Sequence, residues 1–171
     1  AKVKITSGEV ADATTSLRAA LDARPDWADA PYLLGATLYD QKQYPEARAE
    51  LARALDLQPG LAEANMVLAR VHDRLGEHEY AVEVGRRYLQ QRPDDFALHL
   101  LVAQNLVSLQ KLDEALAELS GIPEEKRTPE IEYALGRIYL GKGQGDRARE
   151  HLLAANEELP SQADVLENLL D

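Results

Sequence analysis

The residues able to do chemistry are few. Four histidines stand at His72, His78, His99 and His151. In the stretch HDRLGEHE, residues 72–79, two of them are mixed with carboxylates. That is the composition of a transition-metal site. The spacing does not gather these groups on one helix face, so no metal centre is expected. Asp94 and Asp95 form a carboxylate pair of the kind used as acid and base. They follow Pro93, as Asp26 follows Pro25. In that place a short carboxylate serves as a helix N-cap, accepting from free backbone N–H groups. GKGQGD, residues 141–146, is glycine-rich but lacks the Gly-Lys-Ser/Thr ending of a phosphate loop. It is most simply a turn between helices. No serine sits at a sharp strand-to-helix turn, where a nucleophile would be held. There are no cysteines, which removes disulfides and thiolate metal sites. The sequence shows no enzyme and calls for no cofactor.

The elements that would position a site follow from composition and period. The chain has 171 residues, enough for one domain or one elongated array. It is 45% hydrophobic but only 5% aromatic, and Ala and Leu dominate, which favours helix over sheet. The net charge is −11, from 30 acidic and 19 basic residues. Such a surface repels phosphate backbones and anionic lipid, so nucleic acid is not expected as a partner. No apolar run is long enough to cross a bilayer, so direct membrane insertion is not expected.

The chain repeats itself at an interval of 34 residues. Ala47 has counterparts at Ala13, Ala81, Ala115 and, one residue early, Ala148. Leu17, Leu51, Gly85, Leu119 and Leu152 follow four residues later. Then come Ala20, Ala54, Tyr88, Ile122 and Ala155, and Pro25, Pro59, Pro93 and Pro160 close four of the units. Upstream, Leu34-Gly35, Leu68-Ala69, Val102-Ala103 and Leu135-Gly136 share a phase. Each unit reads as two helices. In the second unit Leu34, Leu38 and Tyr39 form one helical stripe and Leu51, Leu55 and Leu57 another, with DQKQYP as the break. Pro45 suits a first helical turn, and Gly76 suits the left-handed residue just past a helix end. Helices are expected over 9–23, 28–41, 45–57, 62–75, 78–91, 95–109, 112–120, 129–141, 145–158 and 162–170.

Small and large residues alternate for a packing reason. Gly35 and Ala47 let two helices approach, and Leu51 fills the space beside them. Overfilling such a contact costs about 1–3 kcal/mol. The third unit has Gly85 in the large slot and Tyr88 in the small one, a swap that implies repacking rather than loss. In the fourth, SGIPEEKRTPE ends the second helix early at Gly121 and Pro123. A looser junction is expected there.

These residues resemble the tetratricopeptide repeat, a 34-residue helix–turn–helix with Leu-Gly, an aromatic, Ala, a large apolar residue, Ala and Pro. The fifth unit matches most fully, with Leu135-Gly136, Tyr139, Ala148, Leu152, Ala155 and Pro160. The family's leading Trp is missing; its slot holds Pro31, Asn65, His99 and Glu132. The lone Trp27 precedes its helix instead, and His72 takes the family's aromatic position. The resemblance implies an all-α solenoid of stacked antiparallel helix pairs in a right-handed superhelix. It frames residues 1–171 as one array: a partial repeat 1–27, repeats 28–61, 62–95, 96–128 and 129–162, and a terminal helix 163–171. The array starts inside a repeat, as a piece of a longer protein would.

The resemblance also implies where a partner binds. First helices line the concave face, which here carries Tyr32, Tyr39, Met66, Arg70, Arg74, Leu100, Gln104, Tyr133 and Arg137 as the candidate partner-binding residues. Asp29, Ala36, Asp40, Glu63, Asp73, Ala97, Val107, Ser108, Glu130, Leu140 and Gly141 complete the set. The Lys–Asn–Arg clamp by which co-chaperone members hold a C-terminal carboxylate is not present. Its slots hold Tyr32, Ala36, Val67, Ala97 and Leu101, or, one unit on, Met66, Arg70, Leu101, Glu130 and Ala134. The expected function is a protein–protein interaction scaffold that holds a peptide segment or helix of a partner protein. The Arg- and Ala-rich style resembles bacterial arrays in secretion, polysaccharide-export or envelope-assembly systems. The bacterial cytoplasm and periplasm are both compatible. An architectural spacer or self-association array is the alternative, and Arg70 and Arg74 then merely pair with Asp40 and Asp73 as surface ions.

Overall fold

The computed structural model describes residues 27–158 and, ahead of them, Thr15, Leu17 and Ala19, which are helical; side chains are described up to Asn156. The rest of the expected helix 9–23, the helix 162–170, the Asp26 cap, Pro25 and Pro160 lie outside the described residues. Among the described residues there are eight α-helices and no strand: α1 (Asp29–Asp40), α2 (Tyr44–Leu57), α3 (Ala62–Leu75), α4 (His78–Leu89), α5 (Phe96–Ser108), α6 (Leu112–Ser120), α7 (Pro129–Gly141) and α8 (Gly145–Glu158). A short 3-10 turn, Glu124–Lys126, follows α6. The expected boundaries hold within one or two residues.

The chain divides into two compact units, residues 1–91 and 92–171. In the first, α1 packs on α2 and α3 on α4. The two pairs then stack through α2 against α3 and α1 against α3. In the second unit α5 packs on α6 and α7 on α8, with α6 and α5 both touching α7. The α6–α7 contact is much the slighter of the two pair-to-pair junctions, as the early end of α6 at Ser120 implied. Arg127 Nε donates to the Ile122 carbonyl at 2.9 Å and closes that irregular loop.

All four hairpins turn the same way, for a stereochemical reason. One or two residues past each first helix the backbone is left-handed: Lys42 at φ 61°, Gly76 at 71°, Gln110 at 61° and Gly143 at 70°. The N–H groups of Gln43, Glu77, Lys111 and Gln144 donate back to the carbonyls of Leu38, His72, Leu106 and Tyr139. This is the Schellman closure, which satisfies carbonyls left over at a helix end. Glycine adopts the conformation freely, as foreseen at Gly76; Lys42 and Gln110 hold it without that freedom. Other local expectations are met as well. Pro45 stands in the first turn of α2. Asp95 caps α5 by accepting from the Leu98 N–H at 3.1 Å.

The repeat signature is the core. Ala47, Leu51, Ala54, Ala81, Ala115, Leu119, Ala148 and Leu152 are fully buried, and Ile122 and Ala155 nearly so. In the third unit Gly85 and Tyr88 are both buried between packed helices, so the swapped pair is repacked.

Polar groups brace the first unit. Glu77, just ahead of α4, accepts from His72 Nδ1 at 2.6 Å and pairs with Arg48 of α2. The His72 hydrogen bond, reinforced by Arg48, holds its carboxyl below the ordinary range against a smaller opposing effect of burial. A depressed carboxyl stabilises the fold above its unfolded pKa, about 4.3, and that contribution is lost as pH falls through the folded value. Glu77→Gln is therefore expected to lower stability at pH 7 by about 1 kcal/mol, a modest figure because Arg48 is exposed. In urea titrations the gap from wild type closes near pH 3 or below. A gap unchanged in acid would mean lost shape, not lost charge.

Candidate partner-binding faces

The expected binding residues come from first helices, and each unit sets two of these side by side. In unit one, α1 carries Tyr32 and Tyr39, and α3 carries Met66, Arg70 and Arg74. Tyr32, Tyr39, Met66 and Arg70 are half-buried and Arg74 is exposed. Burial raises the Tyr32 phenol pKa, helped by Glu63 and Asp29, so these carboxylates lie near it. Tyr39 hydrogen-bonds Arg74, and that bond, more than Tyr44 or Asp73, raises the arginine further. The Tyr39 and Tyr44 rings lie 5.7 Å apart at 52°. Among the described residues Arg70 carries no hydrogen bond or ion pair. Tyr39, Tyr44 and Asp73 all favour the Arg74 charge, Tyr39 most, so Asp73 does act on Arg74.

In unit two, α5 and α7 flank an open-sided cavity of about 410 Å³. Gln104, Val107 and Ser108 line it from α5, and Glu130, Tyr133 and Arg137 from α7. Ala103, Ala134 and Ile138 complete the lining. The spacing is that of helical faces: Gln104, Val107 and Ser108 lie at steps of three and one, Glu130, Tyr133 and Arg137 at steps of three and four. Gln104, Tyr133 and Arg137 are therefore brought together, while Leu100 lies half-buried on α5 outside the lining. Ala103, Ala134 and Ile138 were not among the expected site residues. Ala103 and Ile138 are buried in the core and Ala134 is half-buried beside them. The Glu130 carboxyl lies below its usual range, chiefly through the Thr128 hydroxyl and then its own backbone N–H.

The empty tryptophan slots hold polar pairs instead. His99 Nδ1 meets Glu118 Oε1 at 2.6 Å, and His151 Nδ1 meets Glu132 Oε2 at 2.6 Å. The first pair has histidine on the first helix and glutamate on the second; the next pair reverses them. Arg127 approaches Glu132 at 3.7 Å. The His151 ring stacks on Tyr139 at 5.2 Å and 7°, and the Arg147 guanidinium lies 5.7 Å from that ring's centre. In repeat three the slot is taken by buried Asn65, which donates to the Leu61 carbonyl.

Among the described residues no cluster of three or more His, Asp or Glu could hold a metal ion. No described helix is long and apolar enough to cross a membrane. The arrangement offers side chains for contact.

Comparisons with known proteins agree with the helix pairs. The tetratricopeptide repeat pattern matches residues 1–62 and 37–96 in one form and 74–134 in another. A comparison with curated proteins finds no match. Among solved structures the chain is similar to MamA, with 21% identity, a TM-score of 0.81 and 92% of each chain covered. It is similar to residues 41 to the end of MamA from Desulfovibrio magneticus RS-1, with 18% identity, a TM-score of 0.80, and 91% of this chain and 88% of that one covered. A thermophilic TPR protein in Thermus thermophilus, TTC0263, shares 25% identity at a TM-score of 0.62, over 95% of this chain and 89% of that one. The MamA likenesses, at such identities, speak for the fold alone. With the repeat pattern matched over most of its length and helix pairs of the right size and register, the chain belongs to the tetratricopeptide repeat family.

Proposed function

We propose that this protein is a non-catalytic interaction scaffold that holds an extended or helical segment of a partner protein on the faces of its first helices, within a bacterial multi-protein assembly. The supporting observation is the α5–α7 cavity. Gln104, Val107, Ser108, Glu130, Tyr133 and Arg137 line it, and all six stand at positions where family members contact partners. Its volume, about 410 Å³, falls within the ~300–1,000 Å³ of typical ligand sites. Tyr and Arg, which recur on both units' faces, are the types enriched at binding hot spots.

The test starts with a pulldown using the chain as bait, followed by calorimetry on variants. Arg70→Glu with Arg74→Glu is expected to weaken partner binding by about 2 kcal/mol, a usual hot-spot cost. Melting temperature should hardly move, since Arg70 has no partner to lose among the described residues and Arg74 is exposed. Tyr133→Ala acts likewise through lost contact area. Unaltered affinity in all these variants would move the binding surface elsewhere. A chain that captures no partner and self-associates with rising concentration would favour the spacer reading.

A further inference from the structure

The α5–α7 cavity carries more donors than acceptors, and that imbalance bears on what fills it. Its floor is apolar: Ala103, Val107, Ala134 and Ile138. Of the polar groups around it, the Ser108 hydroxyl already donates to the Gln104 carbonyl at 3.2 Å. The Glu130 carboxylate is already served by the Thr128 hydroxyl and a backbone N–H, which keep it ionised. Left over are the Arg137 guanidinium, the Tyr133 hydroxyl and the Gln104 amide. None of the three has a hydrogen bond or ion pair among the described residues. All three can donate, and only one is charged.

We propose that the cavity takes a protein segment in which an acidic side chain stands beside aliphatic ones, the carboxylate on Arg137, Tyr133 and Gln104 and the aliphatic groups on the alanine and isoleucine floor. This rests on the groove reading above. The net charge of the chain does not oppose it at short range. At physiological ionic strength charges are screened beyond about 8 Å. Glu130 is two helical turns from Arg137, roughly 10 Å along the axis at 1.5 Å per residue. The local sign at Arg137 is therefore positive. A bidentate guanidinium–carboxylate contact against an apolar wall is about twice as strong as a neutral hydrogen bond.

The probes are three blocked hexapeptides, acetyl-Ala-Leu-Leu-Glu-Leu-Ala-amide and its Glu→Gln and Glu→Lys versions. Blocking removes the chain ends as sources of charge. Each is titrated into the full chain and followed by NMR shifts at Tyr133, Gln104 and Arg137. The glutamate probe should bind about tenfold more tightly than the glutamine probe. Arg137→Gln should abolish that preference, bringing the glutamate and glutamine probes to within about twofold of each other. Equal affinities at the cavity would overturn the acidic specificity and leave the groove reading standing. Tightest binding by the lysine probe would overturn it in the same way and assign the dominant charge to Glu130. Absence of shifts at the cavity with every probe would overturn both.

Discussion

Leu51→Ala lowers the unfolding free energy by about 2–5 kcal/mol, the range for emptying a fully buried leucine site that cannot collapse. Leu51 has no exposed surface and reaches across to α1, where Gly35 makes room for it. A Cβ on Gly35 would come within 2.6 Å of Leu51 Cγ and 3.2 Å of the Ala47 carbonyl oxygen. Two opposite effects then compete at residue 35. Alanine is favoured over glycine within a helix by about 1 kcal/mol, while overpacking costs about 1–3 kcal/mol. In the wild type the clash wins, so Gly35→Ala alone destabilises. Once Leu51 is trimmed, the side-chain clash is gone and only the Ala47 carbonyl oxygen at 3.2 Å still crowds the new Cβ, so the same change should cost much less than in the wild type. Denaturant unfolding of the two single variants and the double variant measures this coupling. Additive losses would mean that Gly35 and Leu51 do not share one contact. The geometry recurs at Gly136, whose added Cβ would come within 2.6 Å of Leu152 Cγ, so a second cycle is available there.

Replacing Glu132 comes next in size. Glu132→His sets a second imidazole against His151 and a positive-capable ring beside Arg127, with all three side chains largely shielded from water. The expected cost is about 2 kcal/mol, below the ~3–5 kcal/mol for a fully buried pair because each group keeps some exposure. His151→Glu alone should cost a similar amount through two facing carboxylates. Together the two changes recreate the order found one repeat earlier, where His99 on α5 faces Glu118 on α6. The double variant should recover more than half of the summed loss in thermal or urea unfolding. Arg127 limits the recovery, since it faces Glu132 and has no counterpart in the swapped arrangement. Losses that simply add would show that the two residues act separately, each through its own packing.

The pairs illustrate what could and could not be read in advance. His99 and Glu132 were both visible as substitutes for a missing tryptophan. Their partners follow from the hairpin: Glu118 lies 19 residues after His99 and His151 lies 19 residues after Glu132, the interval that spans one helix pair. Opposite charges at that interval mark both pairs in the sequence. The turns show a different limit. Gly76 was recognisable as a left-handed residue because glycine advertises it. Lys42 and Gln110 adopt the same conformation with ordinary side chains, and only the recurrence of the turn across units betrays them.

What the sequence alone determined is the repeated element. Helix type, helix ends, the small-against-large core and the short α6 all follow from the 34-residue period, because each is a local or nearest-neighbour matter in a stacked-pair fold. The charge and the missing cysteines likewise needed no coordinates. What only the tertiary structure decided is how surface side chains are partnered. Arg70 and Arg74 looked equivalent in the sequence, one helical turn apart. In the fold Tyr39, Tyr44 and Asp73 favour the Arg74 charge, while among the described residues Arg70 carries no hydrogen bond or ion pair. Gln104, Tyr133 and Arg137 were candidates of equal standing with Leu100, yet only the first three line the cavity. The physical reason is that helical periodicity sets which face a residue occupies to within one turn. A hydrogen bond or a cavity wall depends on a few ångströms between neighbouring helices, and that distance is set by the small residues packed beneath them.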